Sequence, residues 1–218
     1  MEGTRRIVDC IQGSPEWMAA RVGKASACRI AGVMAKTKSG YSTSRANYAA
    51  ELVAERLTGA KAEKFTSSAM AHGTEQEPAA RTMYEFMRDV TVKEVGVVLH
   101  DRIEMACASP DGLVGDDGLI EIKCPLTATH IETLLGGPID GKYMKQMQFQ
   151  MACTGRLWCD FVSFDPRMSG DMQIHIQRVP RDGVMIVEIE REVSAFLSEV
   201  DATVAKLIAM YRHREAAE

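Results

Sequence analysis

Four short stretches of this 218-residue sequence carry side chains that could do chemistry together: Gly73-x3-Glu77, Pro110-Asp111, Glu121-Ile122-Lys123 and Tyr143-x2-Gln146-x-Gln148. In Leu119-Ile120-Glu121-Ile122-Lys123-Cys124 apolar and polar residues alternate with the period of a strand. Ile120, Ile122 and Cys124 then point into a core, and Glu121 and Lys123 point the other way, roughly 6–7 Å apart. Ser109-Pro110-Asp111-Gly112 reads as a turn, with Pro and Gly at the positions that suit them, and Gly115-Asp116-Asp117-Gly118 as a second. The nine residues between Asp111 and Glu121 can bring both carboxylates to one end of a hairpin. Two converging carboxylates beside a lysine suit a hard cation with oxygen ligands, Mg2+ first and Mn2+ as its substitute. Such an ion polarises a phosphodiester and lowers the pKa of bound water. Lys123 would orient or deprotonate that water and offset charge growing on the phosphate. Glu77, on a helix that follows Gly73, would hold the water. Tyr143 and Gln146 share one helical face, and Gln146 can donate to a phosphate oxygen. The competing reading of Glu121 and Lys123 alone is an ion pair on a wet strand face.

The elements that must position these residues follow from caps and periodicity. Ser14-Pro15 opens a short helix through Trp17 to Arg21, and Ser26 opens another carrying Ile30, Val33 and Met34. Lys36–Ser44 reads as a loop, then Ser44 caps a longer helix that Gly59 stops. Thr58–Ser68 is linker-like, and a helix follows from about Glu75 to Arg88. The texture then changes to strands at about Val90–Leu99, Met105–Ser109 and Leu119–Cys124. Helices at about Ala128–Leu135 and Lys142–Cys153 precede strands Leu157–Phe164 and Met172–Val179. A long helix from about Asp182 to Arg212 closes the chain. The expected fold class is α/β, a mixed five-stranded central sheet flanked by helices. The expected organisation is one domain over 1–218, with N-terminal helices in 14–88, a sheet core in 90–180 and the C-terminal helix in 182–212.

With 46% hydrophobic and 26% charged residues, the chain is neither collagen-like, disordered nor low-complexity. No apolar run approaches a membrane span, and nothing at the N-terminus resembles a signal peptide. The six cysteines form no CxxC pair and read as buried free thiols in a reducing compartment. The histidines form no HxH or HExxH, which argues against zinc. The net charge of −4 hides an asymmetry: from Arg21 to Arg45 there are six cations and no acid, which leaves −10 on the remainder. A basic cluster of that kind is a plausible polyanion footprint; otherwise it is a solvated face.

These residues resemble the PD-(D/E)xK nuclease superfamily and, more narrowly, the lambda exonuclease family of phage recombination nucleases. The likeness runs from Trp17 to about Phe196. It includes Trp17-x3-Arg21-x-Gly23, Gly73-x3-Glu77-x3-Arg81, Cys107-x-Ser109-Pro110-Asp111-Gly112-Leu113, Glu121-x-Lys123-Cys124-Pro125, Leu135-Gly136-Gly137, Tyr143-Met144-x-Gln146-x-Gln148 and Asp165-Pro166-Arg167-Met168. The resemblance implies a Mg2+-dependent, processive 5′–3′ exonuclease on double-stranded DNA that leaves a 3′ single strand for an annealing protein. It also implies a ring-shaped homotrimer, a phage or prophage origin and a place in the bacterial cytoplasm. By the same likeness Asp111, Glu121 and the backbone carbonyl of Ile122 hold the metal, Lys123 is the catalytic lysine and Glu77 holds the water. Arg21, Ser109 and Gln146, near Tyr143, match a pocket for the 5′-terminal phosphate. Lys38 matches a DNA-contacting position, and Met70 falls where the family has a Leu wedge that splits the terminal base pair. Lys24 and Cys28 depart from the family's apolar residue and serine. Two alternatives stay open: an endonuclease on the same scaffold, and a non-catalytic DNA-binding platform for an annealing protein.

Overall fold

The computed structural model describes residues 7–61 and 68–215, apart from the side chains of 68–70 and 212–215. In chain order the elements are β1 (Ile7–Val8), α1 (Pro15–Ala20), β2 (Ala25–Ser26), α2 (Ile30–Met34), β3 (Lys36–Thr37), β4 (Gly40–Tyr41), α3 (Thr43–Thr58) and α4 (Ser68–Arg88). Then come β5 (Val92–Lys93), β6 (Val97–Leu99), β7 (Ala106–Ala108), β8 (Gly112–Val114) and β9 (Gly118–Lys123). The rest is α5 (Thr127–Leu134), α6 (Gly141–Thr154), β10 (Trp158–Phe164), β11 (Ile174–Pro180) and α7 (Gly183–Glu215).

A mixed five-stranded sheet in the order β11-β10-β9-β8-β5 forms the centre, with β9 and β10 parallel and the other pairs antiparallel. Its membership differs from the sequence expectation in one strand. The Met105–Ser109 stretch, as β7, belongs instead to a four-stranded sheet ordered β1-β6-β7-β2. Its place is taken by β8, three residues expected as part of a loop. The single strand expected over Val90–Leu99 is two strands in two different sheets, and its break in phase marks the crossing. Gly96 sits at that crossing, where a Cβ would collide with the carbonyls of Val8 and Cys10.

Both faces of the central sheet are covered. Ile120, Ile122, Val162 and Phe164 pack with Ala80 and Tyr84 of α4 on one side. Leu119 and Phe161 pack with Met147 and Phe149 of α6 and with the apolar face of α7 on the other. Burial of side chains this size stabilises the core by about 1.5–3 kcal/mol each. The helix ends are set by local chemistry: the Ser14 side chain accepts from Trp17 N, Asp140 accepts from Lys142 N, and Gly59 and Gly155 close α3 and α6 in the left-handed conformation. Ser42, not Ser44, is the N-cap residue of α3, and the expected 36–44 loop is largely the β3–β4 hairpin. Helix α4 begins at Ser68, earlier than expected, and contains Pro78 beside Glu77. Most of the Thr58–Ser68 linker lies outside the described residues. All six cysteines are unbridged thiols, and among the described residues no helix is long and apolar enough to cross a membrane.

Candidate active site

Strand register brings the carboxylates together. In the β8–β9 hairpin Gly112 pairs with Ile120, so the next residue outward, Asp111, stands opposite Glu121. The Ile122 N–H donates to Asp111 Oδ2 at 2.6 Å. Gln12 fixes the approach to this corner, its amide donating to the carbonyls of Pro110 (2.8 Å) and Val95 (2.9 Å). Glu121 is completely buried under α6, so the polar face of β9 is not a wet surface. Lys123 Nζ donates to Glu121 Oε1. The same oxygen accepts from Gln146 Nε2 at 2.6 Å, and Glu121 Oε2 accepts from Gln150 Nε2 at 2.6 Å.

A cavity of about 420 Å3 opens over this corner. Its wall includes His72, Glu77, Asp111, Ile122, Lys123 and Tyr143, so α4, the hairpin and α6 each contribute. Glu77 Oε1 accepts from Arg81 Nη2 at 2.8 Å, one helical turn away. The Tyr143 ring is approached by two ammonium groups, Lys123 Nζ at 5.1 Å and Lys142 Nζ at 4.7 Å from its centre.

Electrostatically the corner is short of positive charge. Burial first, and then the Glu121 charge, push the Asp111 carboxyl well above the ordinary range. Burial also raises Glu77, against Arg81 and together with Glu121. The Cys124 thiol is pushed up to about 12 by burial and by the charges of Glu77 and Asp111. Burial disfavours the Lys123 ammonium, but Glu121 and Asp111 more than offset this and hold it above its usual value. A lysine held as the cation suits orienting water and neutralising phosphate; it does not suit taking a proton. Among the described residues no group of three or more His, Cys, Asp or Glu side chains is gathered to hold a metal. The donor set nevertheless fits a hard divalent cation. Two facing carboxylates, of which Asp111 has its proton affinity raised by burial and by the Glu121 charge, are relieved by such a cation, and Mg2+ fills its remaining positions with backbone, substrate and water oxygens.

The other expected site residues fall into separate places. Ser109 Oγ accepts from Trp17 Nε1 at 2.9 Å, and the Arg21 guanidinium lies 3.8 Å over the Trp17 ring. Arg21 Nη2 donates to Cys28 Sγ at 3.6 Å, while its buried Nε has no partner. Ser109 and Arg21 are thus joined through Trp17, two residues upstream of Asp111. Gln146, expected beside them, is engaged with Glu121. Lys38 is exposed at the tip of the β3–β4 hairpin. Met70 lies in the first turn of α4, and its side chain is outside those described.

The basic stretch is only partly available to a polyanion. Arg29 pairs with Glu51 at 3.0 Å, Lys36 with Glu192 at 3.3 Å, and Arg45 with Glu199 at 2.7 Å. Arg21, Lys24 and Lys38 have no carboxylate partner among the described residues.

Two further residues of the site were not singled out by sequence. Gln150 follows Gln146 by one helical turn, which was its available signal. His72 has its Nε2 buried without a partner in the cavity wall, and nothing in the sequence marks it.

Comparison with known proteins bears on the whole assembly. Crystal structures of LHK-Exo, an alkaline exonuclease from Laribacter hongkongensis, are similar at 52% sequence identity. One, in complex with dAMP, superposes with a TM-score of 0.84, and another with 0.83; each match covers 94% of this chain and 98% of the other. A phage-related exonuclease from Haemophilus somnus 129PT has the same fold, with a TM-score of 0.65 at 18% identity over 84% of this chain and 96% of that one. No curated protein matches. The family described as the YqaJ-like viral recombinase domain matches residues 16–157, a span that holds Glu77, Asp111, Glu121, Lys123, Gln146 and Gln150. The chain is therefore a member of the YqaJ-like viral recombinase family, as its likeness to the phage recombination exonucleases implied.

Proposed function

We propose that this chain is a Mg2+-dependent, processive 5′–3′ exonuclease on double-stranded DNA, releasing 5′-mononucleotides and leaving a 3′ single strand for recombination by strand annealing. The observation that carries the reading is the register of β8 against β9, which sets Asp111 across from Glu121 with Lys123 at the cavity. Support from outside this chain comes from LHK-Exo, an exonuclease crystallised with dAMP, a nucleotide of the class proposed as product.

The carboxylates of Asp111 and Glu121 and the carbonyl of Ile122 would hold the ion, which when bound supplies Lewis acidity toward the scissile phosphate. Lys123, as an ammonium, orients the attacking water and offsets charge developing on the phosphate. Glu77 borders the same cavity and positions that water. Arg21, Ser109 and Gln146 receive the 5′-terminal phosphate, Tyr143 and Lys38 contact the DNA, and Met70 parts the terminal base pair. Drawing each new 5′-phosphate toward Arg21 would couple hydrolysis to forward movement. The chain works as one nuclease domain within a ring-shaped homotrimer, in the host cytoplasm, alongside an annealing protein.

The test uses linear duplex DNA labelled separately at each end, with Mg2+, with Mn2+ or with EDTA, beside a covalently closed circle. Loss of the 5′ label first, dependent on the cation, with the circle left intact, is expected. Cleavage of the circle would replace this reading with an endonuclease, and no turnover with either cation would replace it with a binding platform.

A further inference from the structure

Gln150 is the one polar residue of α6 with no exposure at all. It reaches neither the cavity nor solvent, so it is out of reach of DNA. Its Nε2 donates to Glu121 Oε2 at 2.6 Å, while its own Oε1 is buried without a hydrogen-bond partner. The amide orientation follows from the contact, since a carbonyl turned toward the carboxylate would repel it. A buried, unpaired carbonyl oxygen is destabilising. The flanking buried positions Met147 and Met151 are apolar, so this helix face accepts methionine without that penalty. What the glutamine adds is a donor on one carboxylate oxygen of Glu121.

The two oxygens of Glu121 are therefore in unlike settings. Oε1 is met by Lys123 and Gln146, and Lys123 borders the cavity. Oε2 is turned inward onto Gln150. We infer that Gln150 is a positioning residue for the metal-binding carboxylate: by holding Oε2 from behind, it presents Oε1 alone to a divalent cation in the cavity. This inference rests on the proposed metal-dependent activity. Partners that orient a ligand in this way commonly change metal affinity about 10–100-fold when removed.

The experiment titrates Mn2+ into the metal-free, full-length protein by calorimetry, without DNA, for the wild type, Gln150→Met, Gln150→Asn and Gln148→Met. The first variant keeps the volume and removes the donor; the second shortens the amide out of reach. Gln148, on the same helix, is buried and bonded to Pro180 O (2.9 Å) and Asp182 N (2.8 Å), away from Glu121. Both Gln150 variants should bind Mn2+ about 10–100-fold more weakly, with KM for DNA near that of the wild type and kcat reduced at fixed Mg2+. Gln148→Met should lower the melting temperature and leave Mn2+ affinity unchanged. Wild-type affinity in either folded Gln150 variant overturns the inference, as does an equal loss in Gln148→Met. No Mn2+ binding by the wild type overturns the metal-dependent reading itself, which separates the two failures. Should neither Gln150 variant fold, a wild-type crystal soaked in Mn2+ decides: Glu121 on the ion through Oε1, with Oε2 still on Gln150, is expected, and both oxygens on the ion would overturn it.

Discussion

The acidic corner at β8–β9 and the basic stretch from Arg21 to Arg45 were both visible as charge patterns, yet they behave differently once folded. At the corner every group converges: Asp111, Glu121, Lys123 and Glu77 meet around one cavity or directly beneath it. In the basic stretch half the cations are drawn away into pairs with Glu51, Glu192 and Glu199. Two of those acids sit about 150 positions later on α7. The difference is one of range. A strand has a period of two, so neighbouring residues fix each other's direction from sequence alone. A charge count has no direction, and an acid brought in by a distant helix cancels it unseen.

The most damaging change to this contrast is at the corner. Lys123→Ala should lower the rate of duplex digestion by about 10²–10³-fold, the usual effect of losing one charge-stabilising donor, while circular dichroism and the bulk of duplex binding stay as they are. Turnover within a factor of a few of wild type would mean that the corner is not where the chemistry occurs.

Arg45→Ala tests the other region. The side chain is buried, donates to Val33 O (2.8 Å), pairs with Glu199 and lies 4.0 Å over the Tyr41 ring. Removing it leaves the Val33 carbonyl unpaired and the stack empty, a loss of about 2 kcal/mol. In a domain this size the melting temperature should fall by about 4–8 °C. The salt dependence of DNA binding should not change; if it flattens, Arg45 is a DNA contact after all.

Asp111→Asn sharpens the comparison from the acidic side. The folded carboxyl titrates above its unfolded value because of burial and Glu121. Between those two values the native protein binds more protons than the unfolded chain, so without metal its stability falls as pH rises through that window. Asparagine keeps an acceptor for Ile122 N and removes the charge. With EDTA present, Asp111→Asn should therefore melt about 2–4 °C higher than wild type at pH 7, the response to ~1 kcal/mol, although digestion is lost. A lower melting temperature in EDTA would show that the carboxylate stabilises the metal-free fold.

How much was legible follows the same division by range. The alternation over Leu119–Cys124 fixed which way Glu121 and Lys123 point, and the Gly-rich turn gave the hairpin. What alternation could not show is whether the polar face is wet, because α6 arrives from 20 residues later and buries Glu121 completely. It also could not separate Val92–Lys93 from Val97–Leu99, since a period of two reads alike in either sheet. Gly112-Leu113-Val114 is too short to register as a strand without its partner. Gln150 was missed for a related reason: a glutamine on an apolar helix face stands out only once the carboxylate opposite it is known.

Lys38 carries the smallest expected effect and the clearest separation from Arg45. It is exposed at the tip of the β3–β4 hairpin and has no carboxylate partner among the described residues. Lys38→Ala should leave the stability within about 0.5 kcal/mol of wild type. If Lys38 sits on a phosphate, one fewer counterion is released on binding, and the slope of log affinity against log salt should become shallower by about 0.9. The effect should be the same for every duplex sequence, because a phosphate contact positions without reading bases. An unchanged slope would reduce the DNA footprint of the basic stretch to Arg21 and Lys24. The contrast with the corner would then be sharper still, with chemistry concentrated on β8, β9 and α6 and half of the early cations tying the N-terminal elements to one another and to α7.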